Sequence, residues 1–239
     1  MPASILLLVL CGALLHASWP YLVASVSAQL IYRLLLAAAY RTGDLSHAYP
    51  LMRGTAPLLV AFGSLALVGE RLSRLGWIGV SLISAGISLL IIDARCRGPS
   101  TPATRAALLA AFVISSYTTI DGVGVRLSDH AIAYALWNLF LTGLPLLLWT
   151  TARGHAVPWQ DLRYQLLGGL VGGACALASY SIALWAMTRA PVAAVAAIRE
   201  TSIVFGIAFG ALVLHERVGW IRALSATAVT LGACAMRAA

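Results

Sequence analysis

Long apolar runs, separated by short clusters of Arg, Asp, Pro and Gly, make up most of the chain. A helix needs about 20 mainly apolar residues to cross a bilayer, and the runs have about that length. The pattern predicts an all-α polytopic membrane protein with about 8 to 9 transmembrane helices. The predicted spans are 16–40, 47–69, 75–92, 104–124, 131–151, 164–188, 191–214 and 218–236, with a further apolar segment at 3–15.

The two halves of the chain also share an internal sequence similarity. A shift of 146 residues places Arg53 on Arg199, Thr55 on Thr201, Glu70 and Arg71 on Glu216 and Arg217, and Gly86 on Gly232. The second copy contains five of the predicted spans, an odd number, so two successive copies enter the membrane from opposite sides. Inverted repeats of this kind are typical of secondary transporters, whose substrate sites lie near the bilayer midplane. The pattern therefore predicts two inverted helical repeats.

A polar, Pro-containing segment, DARCRGPSTPATR, separates the two copies. It predicts a first repeat at 1–93, a linker at 94–104 and a second repeat at 105–239. The first copy is shorter by about 44 residues, which is about one helix with its loops. We therefore expect one long helix near residues 4–40, or a short stub followed by a span, and a first repeat that lacks its second helix. Gly168 with Gly172, and Gly169 with Gly173, have the small-xxx-small spacing that favours close helix packing.

The two copies closely resemble a known family. The segments LSHAYPLMRGTAPLLVAFGSLALVGERLSRLGWIGVSLISAGISLL (45–90) and RAPVAAVAAIRETSIVFGIAFGALVLHERVGWIRALSATAVTLGACAM (189–236) are similar to the repeats of EamA-like carriers of the drug/metabolite transporter superfamily. SSYTTIDGVGVRLS (115–128) resembles the opening helix of that family's second repeat. The resemblance implies ten helices in two inverted five-helix repeats, and export or uptake of small metabolites such as amino acids. A subgroup associated with phosphonate utilisation is similar around the HASW and RET segments, which makes a phosphonate-type compound an alternative substrate.

Composition narrows the class of protein further. The chain is 61% apolar and 10% charged, and its mean hydropathy is +0.90. All 16 basic residues are Arg, scattered singly or in pairs, so no nucleic-acid partner is predicted. The four cysteines are far apart and form no metal-ligand set, so neither a metal nor a cofactor is expected. No nucleophile, base and orienting group occur at a recognisable spacing, so the chain is not expected to be an enzyme.

Two arginines are the strongest candidates for binding a substrate. Arg199 lies roughly 12 Å into its predicted span, at 1.5 Å per residue, and Arg53 occupies the equivalent depth in the other repeat. A charge at the centre of a membrane helix costs about 2.5 to 3.5 kcal/mol, so such side chains usually face a cavity or a partner. Two guanidinium groups on opposite walls of one cavity would suit a carboxylate or a phosphonate.

Glu200 follows Arg199 but points about 100° away around the helix. It has no counterpart in the first repeat, where Gly54 takes its place. Two functional roles compete: a carboxylate that takes up and releases a proton, or an acceptor that neutralises Arg53 or Arg199 across helices. A buried ion pair that locks helices together without touching substrate is a third reading.

Three further residues complete the predicted substrate-binding set. Tyr117 and Asp121 lie one turn apart on one face of a hydroxyl-rich helix, although Asp121 is near enough to the end of its span to be an ordinary interfacial acid. Tyr180 could wall a cavity, or pack at an interface as membrane tyrosines commonly do. The complete predicted set is Arg53, Arg199, Glu200, Tyr117, Asp121 and Tyr180.

These features predict a secondary carrier for a small anionic or zwitterionic metabolite, such as an amino acid or related organic acid, working by alternating access. The alternative is a non-transporting membrane protein, truncated or dependent on a partner, in which the same charges are structural pairs. The expected partners are a small-molecule substrate and the lipid bilayer. A homodimer is possible, because four-helix relatives in the superfamily work as dimers. The expected location is the bacterial cytoplasmic (inner) membrane.

Overall fold

The computed structural model describes residues 3–42, 45–93, 101–128, 130–153, 159–213, 215 and 218–239. Within these ranges the chain is helical, with turns and short connections and without strands. The helices are α1 (Ala3–Thr42), α2 (Leu45–Gly63), α3 (Arg74–Asp93), α4 (Thr101–Ser128), α5 (Ala131–Ala152), α6 (Trp159–Met187), α7 (Val192–Arg199), α8 (Ser202–Leu212) and α9 (Trp220–Arg237). A π-helical turn, Ser64–Val68, continues α2.

Within the described residues, seven helical segments are long and apolar enough to cross a membrane. They are Ser18–Ala39, Ala48–Val68, Arg74–Ile92, Thr101–Ser128, Ala131–Ala152, Leu166–Met187 and Val192–Leu212. The predicted all-α, polytopic membrane architecture is confirmed, with a span count slightly below the predicted one. The difference lies in α9, which has 18 residues and carries Arg222 near its start and Arg237 at its end, so that less of it is apolar.

The N-terminal helix confirms the expectation of one long element in place of two spans. Helix α1 is 40 residues long, which corresponds to about 60 Å at 1.5 Å per residue. The hydrocarbon core of a bilayer is about 30 Å thick, so α1 is much longer than one crossing requires. Among the described residues, the candidate span within α1 is Ser18–Ala39.

The chain forms two compact units. Unit 1 comprises Met1–Ser27 and Ile120–Arg189, and unit 2 comprises Ala28–Thr119 and Ala190–Ala239. These units reflect contacts, whereas the predicted repeats reflect internal similarity, and each unit contains segments of both predicted repeats. Most of the predicted linker, residues 94–100, lies outside the described residues, as do Glu216 and Arg217.

Close helix packing in unit 2 depends on glycine. Helix α3 makes its most extensive contacts with α9. A Cβ atom at Gly232 would lie 2.7 Å from the carbonyl oxygen of Gly79, and one at Gly79 would lie 2.8 Å from the carbonyl oxygen of Gly232. At Gly86 a Cβ atom would lie 3.0 Å from the carbonyl oxygen of Ser225. The two backbones therefore touch directly, as small residues permit in membrane proteins.

A second part of the unit 2 core joins α1, α2 and α4. It consists mainly of alanines, so these helices also approach closely. Its buried members are Ala39, Ala48, Met52, Ala56, Ala107, Ala110, Ala111 and Ile114.

The glycine pairs of α6 behave differently from the sequence-based prediction. Nothing in the described structure lies within 4 Å of a Cβ atom built at Gly168, Gly169, Gly172 or Gly173. The predicted close packing is therefore not met within the described part of the chain. Residue spacing identifies a face on which helices can approach, but it carries no information on whether a neighbouring helix is there.

The corner after α2 links two distant segments of unit 2. Gly69 adopts a left-handed conformation with φ of 76°, which favours glycine and ends the helix. The next residue, Glu70, accepts a hydrogen bond of 2.8 Å from the backbone N–H of Val192, the first residue of α7. Pro191, which precedes α7, provides no side-chain cap. Glu70 therefore caps α7 across 122 positions of sequence.

Replacement of Glu70 by Ala is expected to lower the free energy of unfolding by about 1 kcal/mol, the usual loss when a helix N-terminus loses its cap. Glu70→Gln retains an oxygen that can accept the hydrogen bond, so its loss should be smaller. Thermal or denaturant unfolding of the two purified variants measures the difference. Equal stability of both variants and the wild type would rule out a capping role.

Candidate functional site

Arg53 and Glu200 form an ion pair within unit 2. The Arg53 Nε atom, on α2, lies 3.1 Å from the Glu200 Oε2 atom, at the junction of α7 and α8. The two side chains are 20% and 4% exposed, respectively. Of the partners considered for Glu200 from sequence, the structure places Arg53 in direct contact with it. Pairing offsets the cost of placing each charge within a membrane span.

The two charges of the ion pair are close together, but their contacting atoms lack well-aligned hydrogen bonds within the described structure. Arg53 Nε and Glu200 Oε2 are both buried, and neither has a hydrogen-bond partner of acceptable geometry among the described residues. Their contact is therefore electrostatic, without a well-aligned N–H···O bond. Buried polar atoms without such bonds are costly, and they are suited to binding another polar group. Both charges therefore have unused hydrogen-bonding capacity.

The backbone changes its hydrogen-bonding pattern at Glu200. The N–H groups of Glu200 and Thr201 donate to the carbonyls of Ala197 and Ile198, each at 3.0 Å, so the bonds join residues three apart instead of four. The predicted span 191–214 corresponds to the apolar segment Val192–Leu212, and within it α7 ends at Arg199 and α8 begins at Ser202. The Thr201 hydroxyl donates to the Ile198 carbonyl at 2.8 Å. Such local side-chain bonds compete with the helical ladder and bend helices.

Helix α2 also has an altered backbone hydrogen-bonding pattern next to its arginine, as the chain does beside Arg199. Pro57 is four residues after Arg53, and proline has no N–H to donate to the Arg53 carbonyl. The Thr55 hydroxyl donates to the Leu51 carbonyl at 2.7 Å, much as Thr201 donates to Ile198. Both helices that carry the repeat-related arginines therefore have an altered backbone ladder beside the charge. Interrupted helices around a central site are characteristic of secondary transporters.

Tyrosine rings surround the guanidinium of Arg53. The Cζ atom of Arg53 lies 5.9 Å from the centre of the Tyr49 ring. The rings of Tyr32 and Tyr117 contact each other, with centres 6.1 Å apart. All three tyrosines lie near Arg53. This part of unit 2 therefore combines a cation, a carboxylate, phenol hydroxyls and aromatic faces.

Arg199 and Gly54 lie at sequence positions related to Arg53 and Glu200 by the internal similarity. Arg199 is half-buried in the last turn of α7, and its positive charge acts on Glu200. A Cβ atom at Gly54 would lie 2.6 Å from the Ser88 hydroxyl and 3.1 Å from the Ser84 carbonyl oxygen. Helices α2 and α3 are thus too close for any side chain at position 54. Packing accounts for the absence of a second carboxylate there.

Unit 1 contains a separate polar cluster centred on Asp121. The Asp121 side chain is buried, with 1% of the residue exposed. The hydroxyl of Tyr134 donates to its Oδ1 atom at 3.1 Å, and the hydroxyl of Tyr180 donates to its Oδ2 atom at 2.6 Å. Asn138 donates through Nδ2 to Asp121 Oδ1 at 3.4 Å and to the Ser25 hydroxyl at 3.0 Å. Asp121 is therefore a buried carboxylate held by hydrogen bonds from two tyrosines and an asparagine.

The six predicted site residues fall into two groups. Arg53, Glu200, Arg199 and Tyr117 belong to unit 2, and Asp121 and Tyr180 contact each other in unit 1. The residues missed from sequence are Tyr49, Tyr134 and Asn138, which contact members of this set directly, and Ser25, which accepts a hydrogen bond from Asn138. A usable signal existed for one of them, because Asn138 is the only asparagine in the chain and lies in an apolar span.

The chain is similar to known proteins in sequence and in fold. A profile of the EamA-like transporter family matches residues 103–238, which is more than half of the chain. A solved crystal structure of another protein superposes with a TM-score of 0.75 at 21% identity, over 93% of this chain and 77% of the other. At that identity the likeness shows the fold alone. No curated protein matches the chain.

Proposed function

Because the chain belongs to the EamA-like transporter family, a family of integral membrane transporters, we propose that it is a secondary carrier for a small anionic or zwitterionic metabolite. An amino acid or a related organic acid is the expected substrate, and alternating access the expected mechanism. The observation that carries this proposal is the buried Arg53–Glu200 pair, whose Nε and Oε2 atoms lack hydrogen-bond partners among the described residues. We place the protein in the bacterial cytoplasmic (inner) membrane, without catalytic activity.

In this mechanism the acid group of the substrate competes with Glu200 for Arg53. A guanidinium binds a carboxylate through two parallel hydrogen bonds, which the present one-atom contact with Glu200 does not achieve. Displaced from Arg53, the Glu200 carboxylate would be an uncompensated charge inside the membrane, so it takes up a proton. One substrate anion and one proton thus enter the site together, and both leave when the Arg53–Glu200 pair forms again.

The neighbouring groups support such a substrate. Arg199 supplies a second positive charge beside Glu200. Tyr49, Tyr32 and Tyr117 offer hydroxyl groups and ring faces around Arg53, which suit a solute with both a charged end and an apolar part. The interrupted backbone at Glu200 allows α7 and α8 to move with respect to each other as Glu200 changes partner.

Replacement of Arg199 by Ala is expected to reduce solute flux by at least about tenfold, equivalent to about 1.4 kcal/mol of lost binding. The half-buried Arg199 has no ion-pair partner within 4.0 Å among the described residues, so the melting temperature should change little. The measurement is uptake by proteoliposomes of a panel of labelled amino acids, organic acids and phosphonates. Arg105→Ala, which removes an exposed arginine at the start of α4, is the matched control.

A purely structural role for these charges makes opposite predictions. Arg199→Ala would then lower the melting temperature, and no solute in the panel would protect the wild type against heat. That combination of results, with no measurable flux for the wild type, would overturn the proposed function in favour of a non-transporting membrane protein.

A further inference from the structure

The Asp121 cluster takes no part in the mechanism described above, and it has the composition of a site of its own. Four helices supply it: Ser25 from α1, Asp121 from α4, Tyr134 and Asn138 from α5, and Tyr180 from α6. We propose that this cluster binds a small monovalent cation, H⁺ or Na⁺, that is coupled to transport. For its use in transport the inference rests on the proposed function, but the binding itself does not.

The charge of the cluster favours a cation over an anion. Asp121 is the group on which the described hydrogen bonds converge, and its carboxylate would repel an anionic substrate. Acidic side chains buried within membrane spans are expensive, and they commonly mark the paths of ions and protons. The anion-binding groups of unit 2 and this carboxylate therefore suit ligands of opposite sign.

The hydroxyl groups around Asp121 can stabilise the carboxylate when no cation is bound, and they can also stabilise a bound cation. Hydroxyl groups can both donate and accept hydrogen bonds. In the structure, the hydroxyls of Tyr134 and Tyr180 donate to the carboxylate. When a proton binds to Oδ2, the Tyr180 hydroxyl can rotate and accept the new O–H bond. When Na⁺ binds, the same hydroxyls turn their oxygen lone pairs toward the ion, beside the carboxylate oxygens.

Gly124 leaves space for the Tyr134 hydroxyl beside Asp121, whereas Tyr180 is less enclosed. A Cβ atom at Gly124 would lie 2.6 Å from the Tyr134 hydroxyl, so only glycine at this position allows that hydroxyl to reach Asp121. Asp121 and Tyr134 are fully buried, whereas Tyr180 is partly exposed. Among the described hydrogen bonds to Asp121, those from titratable groups come from Tyr134 on α5 and Tyr180 on α6.

Cation binding can be measured on the full chain in lipid nanodiscs without any substrate. The melting temperature is recorded in NaCl and in choline chloride at constant pH and ionic strength. At about 100 times its dissociation constant, Na⁺ should raise the melting temperature by about 5 °C or more. Infrared difference spectra between acid and alkaline pH, recorded without Na⁺, detect protonation of Asp121 as the part of the carboxyl band that is missing from the Asp121→Asn variant, because the other acidic residues of the chain contribute to the same band. We expect the wild type to show at least one of these responses.

The variants assign the response to Asp121. Asp121→Asn should abolish it, and Glu200→Gln, which neutralises the buried carboxylate of unit 2, should retain it. Tyr180→Phe removes the 2.6 Å donor but keeps the carboxylate, so it should shift the Na⁺ dissociation constant or the proton affinity by about tenfold. If Asp121→Asn does not fold, Tyr180→Phe still shows whether the cation response depends on the Asp121 cluster.

A response to Na⁺ identifies a sodium site, and a carboxyl band alone identifies a proton site. The inference is overturned if the wild type responds to neither cation, if Asp121→Asn responds like the wild type, or if Tyr180→Phe changes only the melting temperature. Failure of the proposed substrate site is a separate result, because it is read from solute flux in the Arg199 variant.

Discussion

Replacing Arg53 with Gln is expected to lower the free energy of unfolding by about 3–5 kcal/mol and to reduce solute flux to background. The loss of stability arises because Glu200, with only 4% of its side chain exposed, is left as an unpaired charge. The loss of flux is expected because the guanidinium proposed to bind the substrate is absent. Denaturant unfolding of the purified variant and uptake by proteoliposomes measure the two effects independently.

The double variant Arg53→Gln with Glu200→Gln separates binding from stability. Removal of both charges of a buried pair is often neutral, so the double variant should recover most of the stability lost in Arg53→Gln. It should not recover flux. Arg53→Lys is the matched control, since it keeps the charge but loses the planar fork that binds a carboxylate through two bonds. Wild-type flux in the double variant would eliminate Arg53 and Glu200 as the substrate site.

Replacing Gly232 with Ala is expected to cost about 1–3 kcal/mol, and Gly232→Leu more. The added Cβ atom would meet two backbone atoms of α3, the Gly79 carbonyl oxygen at 2.7 Å and the Ile83 nitrogen at 3.0 Å. Neither can move aside as a flexible side chain could, so α3 and α9 must separate along their contact. Thermal and denaturant unfolding are the measurements.

Gly168→Ala is the matched control for this prediction. Nothing described lies within 4 Å of the added atom, and alanine is intrinsically a better helix former than glycine by about 1 kcal/mol. The control should therefore be neutral or more stable than the wild type. If Gly232→Ala behaved in the same way as Gly168→Ala, the close contact between α3 and α9 would be refuted.

The features that were predictable from sequence are those that depend on composition along the chain. Apolar runs of bilayer length predicted the helices and the membrane location, because burial in lipid requires nothing more specific. The missing polar turn between the first two apolar runs predicted the single helix α1. The internal similarity singled out Arg53 and Arg199 without any knowledge of what they contact.

The features that were not predictable depend on a change of backbone bonding or on contacts between distant residues. The turn at Glu200 alters which carbonyl each N–H reaches but leaves the apolar pattern of 191–214 unchanged, so composition does not reveal it. The partner of Asn138 in the polar cluster, Ser25, is 113 residues away along the chain. The contact of Tyr134 with Asp121 depends on the space that Gly124 leaves, and that space exists only once the helices have packed.

The short helix α7 has a carboxylate at each end. Glu70 holds the N–H of Val192 at its start, and Glu200, just beyond its last residue, contacts Arg53. A helix of 8 residues is only about 12 Å long and nearly rigid. Movement of Glu200 away from Arg53 would therefore be transmitted to the Val192 amide. The hydrogen-exchange rate of that single amide offers a gauge of site occupancy that needs neither a labelled substrate nor a flux assay.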